Sequence, residues 1–416
     1  MIGNQALSPR HSPVEIMISA GEASGEKHGA ALARALTTRY PNTDFSFFGS
    51  GGAEMRAANV ELLVDVRELA TIGLPEILKT LPGFYRAYRK LVGAALKRRP
   101  SVIILIDWPD FNMRLARRLR REGLKVVYYI SPQIWAWRRH RIKALKRDVD
   151  RMLVILPFEE ELYRQNGVPV EYVGHPLANA VFATSSADDF CAAHKLDRSR
   201  PIISLLPGSR HSEVRHHLPV MLDAAARLSQ TGLEIAEGNR PSRAATPQFV
   251  IPLASTIERG DVDLAVEEAR IRHDLQLTIV ERETYNALFS STLAVIASGT
   301  ATVEAALAGT PMVIMYRGSE LNWRLIRPLI TLDTFGMVNL IAGRKFVPEL
   351  IQHDATGEKI AREVQAILSD AGRLKRIREG LDEVRNRLLT GGGDSDAGNC
   401  GANRAAAAVM RLIDAR

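Results

Sequence analysis

A carboxylate at the end of a buried strand is the first group in this sequence placed to do chemistry. Asp107 closes the apolar run Val102–Ile106, a continuous stretch of the kind that a parallel strand covered on both faces requires. Trp108-Pro109 then stops the strand, because proline has no N–H to give a ladder. Ligands bind beyond the carboxyl ends of strands in open α/β sheets, so Asp107 stands where a general base is useful. The apolar Trp108 beside it would raise its pKa toward neutrality. Asp110 is the rival, but as the residue opening a helix it reads as a cap. A basic helix follows, then a second buried run, Val126–Ile130, which ends in Ser131-Pro132-Gln133-Ile134-Trp135-Ala136-Trp137-Arg138-Arg139. Two neighbouring strand ends thus offer one crevice a carboxylate, two tryptophans and a row of arginines.

The second half of the chain carries two motifs suited to a diphosphate. Leu205-Leu206-Pro207-Gly208-Ser209-Arg210 ends a strand with a glycine turn and an arginine, and Glu213 follows at a helix start. A guanidinium forks onto phosphate oxygens, so Arg210 is suited to holding a diphosphate without a metal; the bland alternative is a βα turn with a surface arginine. Ser298-Gly299-Thr300-Ala301-Thr302 opens a helix over Val303–Ala308, whose N-terminus supplies N–H groups and partial positive charge. Thr300 or Thr302 as a plain helix cap is the commoner use of such residues. Glu304, one turn in, is able to accept hydrogen bonds from a vicinal diol such as a ribose. Together the motifs describe a nucleotide diphosphate site with no carboxylate pairs or histidine clusters for a metal.

Positioning these groups takes an alternation of strands and helices. Strands are expected at Val14–Ser19, Phe45–Phe48, Val102–Ile106, Val126–Ile130, Arg151–Pro157 and Val170–Val173. A second set is expected at Ile202–Leu206, Phe249–Leu253, Leu277–Val280, Leu293–Ile296 and Met312–Met315, with helices between, which reads as α/β. The small-residue stretch Ala20–Ala30 lets backbone approach a ligand, and a helix from about His28 to Thr37 would aim its N–H groups there. It lacks the G-x-G-x-x-G spacing of a dinucleotide site. Gly49-Ser50-Gly51-Gly52 is a further glycine turn that needs no more than close backbone packing. Gly174-His175-Pro176-Leu177 marks the hinge, where His175 reads as a hydrogen-bonded structural histidine. The expected division is a loose tail over 1–13, domains over 14–177 and 178–390, and a glycine-rich linker with a terminal helix over 391–416. Glu237–Pro247 reads as a surface insertion, Glu358–Leu389 as a helical pair and Arg404–Ile413 as the last helix.

With 416 residues the chain suits two domains, and its 46% hydrophobic content is ordinary for a globular protein. No apolar run reaches the roughly 18 residues of a membrane span, and no secretory leader is expected at the N-terminus. Cys191 and Cys400 stand far apart in no metal-ligand spacing, which suits a reducing compartment. The formal charge of +8 asks for an anionic partner. Two basic clusters stand out: Arg114, Arg117, Arg118, Arg120, Arg121 and Lys125, then Arg138, Arg139, Arg141, Lys143, Lys146 and Arg147. Either they are solvated faces or they form one anion-binding surface. Ile72–Leu91 sets Leu74, Ile77, Leu78, Leu81 and Phe84 beside Lys79, Arg86, Arg89 and Lys90, with Pro75 and Pro82 breaking it into short pieces. It reads either as a core-facing helix or as an interfacial patch whose cations meet lipid phosphates.

AGEASGEKHGA (20–30), FGSGGAEM (48–55), DWPDFN (107–112), YYISPQIWAWRRHR (128–141), LPFEEELY (156–163), VGHPL (173–177), LLPGSRHSEV (205–214), SGTATVEAAL (298–307) and VNLIAGRKFVPELIQ (338–352) resemble the lipid-A-disaccharide synthases, in order and over nearly the whole chain. Two departures show: Glu26 stands where that family has aspartate, and Val338 where it has proline. The resemblance implies a GT-B fold, two Rossmann-like domains facing across a cleft with C-terminal helices packing back. It implies an inverting transfer of diacylglucosamine from a UDP donor to diacylglucosamine 1-phosphate, with no cofactor, an anionic inner-membrane surface, no nucleic acid and a homodimer as partners. The implied location is cytoplasmic, on the inner face of the inner membrane of a Gram-negative bacterium. On this reading Asp107 is the catalytic base. Arg210, Glu213, Ser298, Gly299, Thr300, Ala301, Thr302, Glu304, Asn339 and Gln352 hold the nucleotide sugar, and Ser24, His28, Asn112, Gln133 and Arg139 meet the acceptor. The competing readings are another GT-B enzyme, a peptidoglycan-type glycosyltransferase or sugar-nucleotide epimerase, and, far behind, a nucleic-acid-binding α/β protein.

Overall fold

The computed structural model describes residues 13–21, 23–66, 77–236, 245–320, 323–324, 327–329, 333–390 and 401–415. The chain forms two compact units, one of Met1–Pro176 with Gly391–Arg416 and one of Leu177–Thr390. The division falls inside the Gly174–Leu177 stretch, where Pro176 interrupts regular pairing.

The first unit is built on seven parallel strands: β1 (Val14–Ala20), β2 (Phe45–Gly51), β3 (Val60–Asp65), β4 (Val102–Ile106), β5 (Val126–Tyr129), β6 (Arg151–Val154) and β7 (Val170–Tyr172). Their order is β3-β2-β1-β4-β5-β6-β7. The order reverses between β1 and β4, which pair from Ile16 against Val102 to Ala20 against Ile106. Side chains alternate across this sheet, so its largely apolar strands feed two cores. Ile16, Ile18, Ile104 and Ile106 face one core, shared with the helix Ala23–Arg39 and with Ala405, Ala406, Ala408 and Val409 of the terminal helix Gly401–Asp414. Met17, Ile103 and Leu105 face the other, under the helices Ile77–Arg98, Pro109–Arg121, Ile142–Asp148 and Pro157–Gln165. The terminal helix therefore completes the first unit, its alanines allowing close approach to the Ala23–Arg39 helix. Lys125 Nζ donates to the carbonyls of Leu412 and Ala415 at 2.7 Å each, satisfying the C-terminal end of that helix.

The second unit holds six parallel strands: β8 (Ile202–Leu206), β9 (Gln248–Leu253), β10 (Leu277–Glu281), β11 (Leu293–Ala297), β12 (Met312–Tyr316) and β13 (Glu349–Ile351). Their order is β10-β9-β8-β11-β12-β13, with the reversal between β8 and β11. The helices Gly357–Leu368 and Ala371–Thr390 follow as the expected pair.

Several expectations need correction. Strands β3 and β13 have no counterpart in the sequence reading; both lie at sheet edges, and β13 has only three residues, too few for a hydrophobic pattern. The first helix starts at Ala23 rather than near His28, so Ser24 sits in its first turn. Pro82 does not break its segment. One helix runs from Ile77 to Arg98, and a proline six residues from the start removes a single backbone bond. Leu74 and Pro75 lie outside the described residues, as do the side chains of Ile77, Leu78 and Leu81. Phe84 is half-buried, while Arg86, Arg89 and Lys90 are exposed. Leu233 and Ala245 exchange two backbone hydrogen bonds of 2.9 Å at the neck of the insertion, whose residues 237–244 are also outside the described set.

Candidate functional site

In each unit the polar loops gather where the strand order reverses, the place where two outward-turning loops leave room for a ligand. In the first unit these are the loops after β1 and β4. Asp107 and Trp108 both have left-handed backbones, φ +47° and +50°, a strained pair for non-glycine residues. The strain is held from below. The Asp107 carbonyl accepts from Tyr128 Oη at 2.6 Å and from Asn112 Nδ2 at 2.9 Å. Asn112 Nδ2 also lies 3.1 Å from the Ile106 carbonyl and 3.3 Å from that of Ser19, while its Oδ1 accepts from Ser19 Oγ at 2.8 Å. Trp108 stacks on Phe111 at 3.9 Å and covers Gly21, where an added Cβ would sit 1.9 Å from the indole. The turn therefore presents the Asp107 carboxylate, half-buried, at the sheet's reversal point.

Two sequence assignments change here. Asn112 is fully buried and spends its amide on Ser19, Ile106 and Asp107, so it braces the turn and does not reach an acceptor. Asp110 is not a cap. Trp108 occupies the N-cap position, and Asp110 pairs with Arg141 at 2.5 Å and Arg138 at 3.2 Å. Partial burial raises the Asp110 pKa, but the two guanidinium groups outweigh it and hold it below the ordinary carboxylate range.

Ser24, Gln133 and Arg139 are exposed. His28 is half-buried with its ring edge-on to Tyr129 at 6.4 Å, and burial, helped by Lys27, lowers its pKa. His175 is buried and its pKa is pushed down to about 4 by burial and by His28, so it is neutral at ordinary pH. Glu26, at the first departure from the family pattern, accepts the Glu54 N–H at 2.5 Å and so caps the helix Ala53–Ala57 beside the glycine turn. The Ser131–Trp137 loop rests on a buried carboxyl: Glu159 accepts from Trp135 Nε1 at 3.0 Å and from the Leu156 N–H at 3.3 Å, and burial lifts its pKa to about 8.

In the second unit the loops after β8 and β11 leave neighbouring strands at the point of reversal. The N–H groups of Thr302, Val303 and Glu304 already bond to Gly299 and Thr300 carbonyls, whereas those of Gly299, Thr300 and Ala301 meet no acceptor among the described residues. They begin the helix Ala301–Ala308, and the exposed Thr300 hydroxyl makes no capping bond. This arrangement suits an anion. Arg210 is exposed and paired with Glu213 at 2.9 Å. Glu304 is half-buried, receives Tyr285 Oη at 3.4 Å, and has its pKa raised by burial.

Three donor-site assignments are corrected. Thr302 is fully buried and its hydroxyl donates back to Gly299 at 2.8 Å. Glu213 directs its carboxylate to the N–H groups of Ser209 and Arg210 at 3.0 and 3.3 Å, shaping the turn. Gly208, at φ +121°, makes room for it, since a Cβ there would lie 2.5 Å from the carboxylate. Asn339 is buried with both ends of its amide engaged, at Val347 and Glu349 and at the N–H groups of Phe346 and Val347. Glu349 in turn accepts from Phe335 and Gly336, and Ser298 Oγ donates to the Phe335 carbonyl at 3.0 Å. Asn339 thus supports the Ser298 turn from a distance. Val338 is buried near the start of the helix Met337–Ala342, an early-turn position that proline also tolerates. Gln352, left-handed at φ +53°, accepts from the Gly318 N–H at 3.0 Å and donates to the Gly318 carbonyl at 3.1 Å.

Sequence reasoning missed Tyr128, Glu159 and His217. Glu159 is the first of three consecutive glutamates, and nothing in the sequence marks it as the buried one. Nothing in the sequence pointed to the bracing roles of Tyr128 and His217.

Two parallel doubly wound sheets in one chain, each with its polar loops at the point of reversal, define the GT-B class of α/β proteins. Solved structures agree at the level of fold. A calicheamicin glycosyltransferase superposes with a TM-score of 0.57 at 12% identity, over 97% of this chain and 99% of its own. The UDP-GlcNAc 2-epimerase of Neisseria meningitidis superposes with a TM-score of 0.56 at 10% identity, over 96% and 98%. The chain belongs to the lipid-A-disaccharide synthetase family, whose sequence model matches residues 16–390. The lipid-A-disaccharide synthase of Koribacter versatilis is 42% identical over 399 residues, 96% of this chain and 98% of that protein. That of Myxococcus xanthus is 42% identical over 402 residues, covering 97% and 98%.

Proposed function

We propose that the chain is an inverting UDP-sugar glycosyltransferase that makes the lipid A disaccharide. It moves the 2,3-diacylglucosamine unit of a UDP donor onto the 6-hydroxyl of 2,3-diacylglucosamine 1-phosphate, giving a β(1→6) disaccharide 1-phosphate and UDP. Family membership over nearly the whole chain supports this reading, and the observation that carries its chemistry is the braced Asp107–Trp108 turn. Asp107 takes the proton of the acceptor hydroxyl as its oxygen attacks the anomeric carbon. The bond from that carbon to the distal phosphate oxygen breaks, and UDP leaves with the added negative charge. Arg210 and the N–H groups of Gly299, Thr300 and Ala301 stabilise that charge, Glu304 takes the ribose hydroxyls, and no cation is needed. Ser24, His28, Gln133 and Arg139 are the acceptor contacts on this reading.

The acceptor and donor are lipids, and the first unit suits an anionic bilayer surface. The helices Ile77–Arg98, Pro109–Arg121 and Ile142–Asp148 lie side by side, and Tyr85, Arg86, Arg89, Lys90, Arg114, Arg117, Lys143 and Lys146 are exposed on them. Arg118, Arg120 and Arg147 are ion-paired within the protein and contribute less. No described helix is long and apolar enough to cross a membrane. On this reading the exposed cations hold the protein peripherally at the cytoplasmic face, where the anionic lipid lies.

The test is UDP release with diacylated donor and acceptor, with and without EDTA. Asp107→Asn is expected to cut kcat at least about a hundredfold while UDP affinity holds. Normal turnover in that variant removes Asp107 as the base, EDTA sensitivity contradicts the metal-free step, and donor conversion without any acceptor points to an epimerase instead.

A further inference from the structure

His217 ties together the two loops that flank the Ser298–Thr302 turn. It stands on the helix His211–Thr231 with no exposed surface. Its Nδ1 lies 2.7 Å from the Pro207 carbonyl, which only accepts, so Nδ1 carries the proton. Its Nε2 lies 3.1 Å from the Arg317 N–H, which only donates, so Nε2 offers a lone pair. The two neighbours thus dictate one tautomer of a neutral ring. Pro207 follows β8 and Arg317 follows β12, and these strands lie on either side of β11, which leads into the Ser298–Thr302 turn. The same stretch after β12 is gripped by Gln352, which holds both polar groups of Gly318 and donates to Glu320 at 3.2 Å. Two buried side chains from different elements therefore set the backbone of one loop, and only His217 is able to change charge near neutral pH.

We infer that His217 is a positioning residue of the nucleotide diphosphate site, and that bound nucleotide requires its neutral form, so that protonating this ring weakens nucleotide binding. The inference rests on the reading that UDP occupies the second unit. An imidazolium has no lone pair for the Arg317 N–H. It would set two donors against each other, freeing the loop after β12 while the Pro207 bond persists. The groups facing the ring are few. Glu213 on the same helix favours the cation and His216 beside it opposes it, while Tyr316 from β12 presents an uncharged ring at 5.6 Å. Burial is the largest influence and lowers the pKa below the ordinary histidine value. The ring therefore favours its neutral form more than an ordinary histidine does, and takes up a proton only on acidification below the ordinary histidine range.

The experiment measures UDP binding to the full chain by calorimetry at pH 7.5 and 5.5, in wild type, His217→Gln and His217→Ala. Glu304 and the nucleotide's own phosphate also titrate, so the comparison between variants isolates the histidine. His217→Ala is expected to weaken UDP binding on the order of tenfold at pH 7.5 and to raise donor KM by a similar factor, with kcat at saturating donor nearly kept. His217→Gln, whose amide oxygen accepts from Arg317 and does not ionise in this range, is expected to recover most of that loss and to show a shallower drop at pH 5.5. Linkage adds a readout on the unaltered protein: saturating UDP should lower the His217 pKa followed by nitrogen NMR, with Nε2 unprotonated at pH 7. A wild-type chain that binds no UDP at pH 7.5 overturns the donor-site reading and this inference with it. UDP binding that is the same in all three proteins at both pH values, or a His217 pKa unmoved by UDP, overturns the inference alone.

Discussion

Changing Asn112 to aspartate keeps the shape of a fully buried side chain and inverts its hydrogen-bonding sense. The amide nitrogen faces three carbonyl oxygens, those of Asp107, Ile106 and Ser19, at 2.9, 3.1 and 3.3 Å. In Asn112→Asp an oxygen faces all three. If it is ionised, a charge is buried without a partner, a loss of about 3–5 kcal/mol. If it is protonated, its one O–H serves one carbonyl and the others lose theirs, about 1–3 kcal/mol. The introduced carboxyl therefore has a folded-state pKa above its unfolded value. The penalty is smallest below the ordinary carboxylate range and grows as pH rises through the window between the unfolded and folded values. For a unit of about 200 residues, at about 2–4 °C per kcal/mol, the melting transition of the first unit should fall by about 6–20 °C at pH 7.5 and by less at pH 5. Turnover should drop as well, since the brace on the Asp107 carbonyl loosens. Thermal melts of wild type and variant at the two pH values, followed by tryptophan fluorescence, check this. A variant that melts within about 2 °C of wild type at both pH values would refute the claim that Asn112 holds the strained turn.

Gly21→Ala brings a Cβ to 1.9 Å from the Trp108 indole, so the ring must leave its stack on Phe111. A loss of about 1–3 kcal/mol in urea unfolding and a fall in kcat larger than any change in UDP affinity are expected. Glu159, its pKa pushed up to about 8 by burial, makes wild-type stability fall as pH rises from the ordinary carboxyl range to about 8 and level off above. Glu159→Gln should abolish that slope even though the variant is weaker overall, and urea midpoints at pH 6 and 8.5 decide it. The exposed cations of the Ile77–Arg98 helix are tested by Arg86, Arg89 and Lys90 changed together to glutamine: sedimentation with anionic vesicles should weaken, and neutral vesicles should show no difference.

The scaffold was legible in the sequence where chemistry and burial coincide. Val102–Ile106 is a strand with the bounds its apolar run suggests, because a parallel strand covered on both faces favours apolar residues throughout, and Ile202–Leu206 keeps its expected bounds although Ser204, buried within it, meets Ser291 Oγ at 2.7 Å. The loops that follow such strands are legible as well, and Asp107, Arg210 and Ser298 stand just beyond strand ends as their spacing suggests. What a linear reading lacks is direction. Asn112, Glu213, Thr302 and Asn339 lie within residues of plausible ligand contacts and have suitable polar groups, yet each turns its hydrogen bonds inward to backbone. Whether a polar group serves substrate or scaffold is decided by a carbonyl that comes near only after folding. The same holds for His217, whose partners at Pro207 and Arg317 are 10 and 100 residues away along the chain.

The helix Gly401–Asp414 has a consequence for synthesis on the ribosome. Ile16, Ile18, Ile104 and Leu153 are made early, but part of their cover is made only after the entire Leu177–Thr390 unit. Through that interval the nascent first unit carries an oily strip with part of its lid missing, a target for chaperones and for misassembly. Removing the Gly401–Asp414 helix therefore strikes a unit whose sheet is encoded more than two hundred residues earlier.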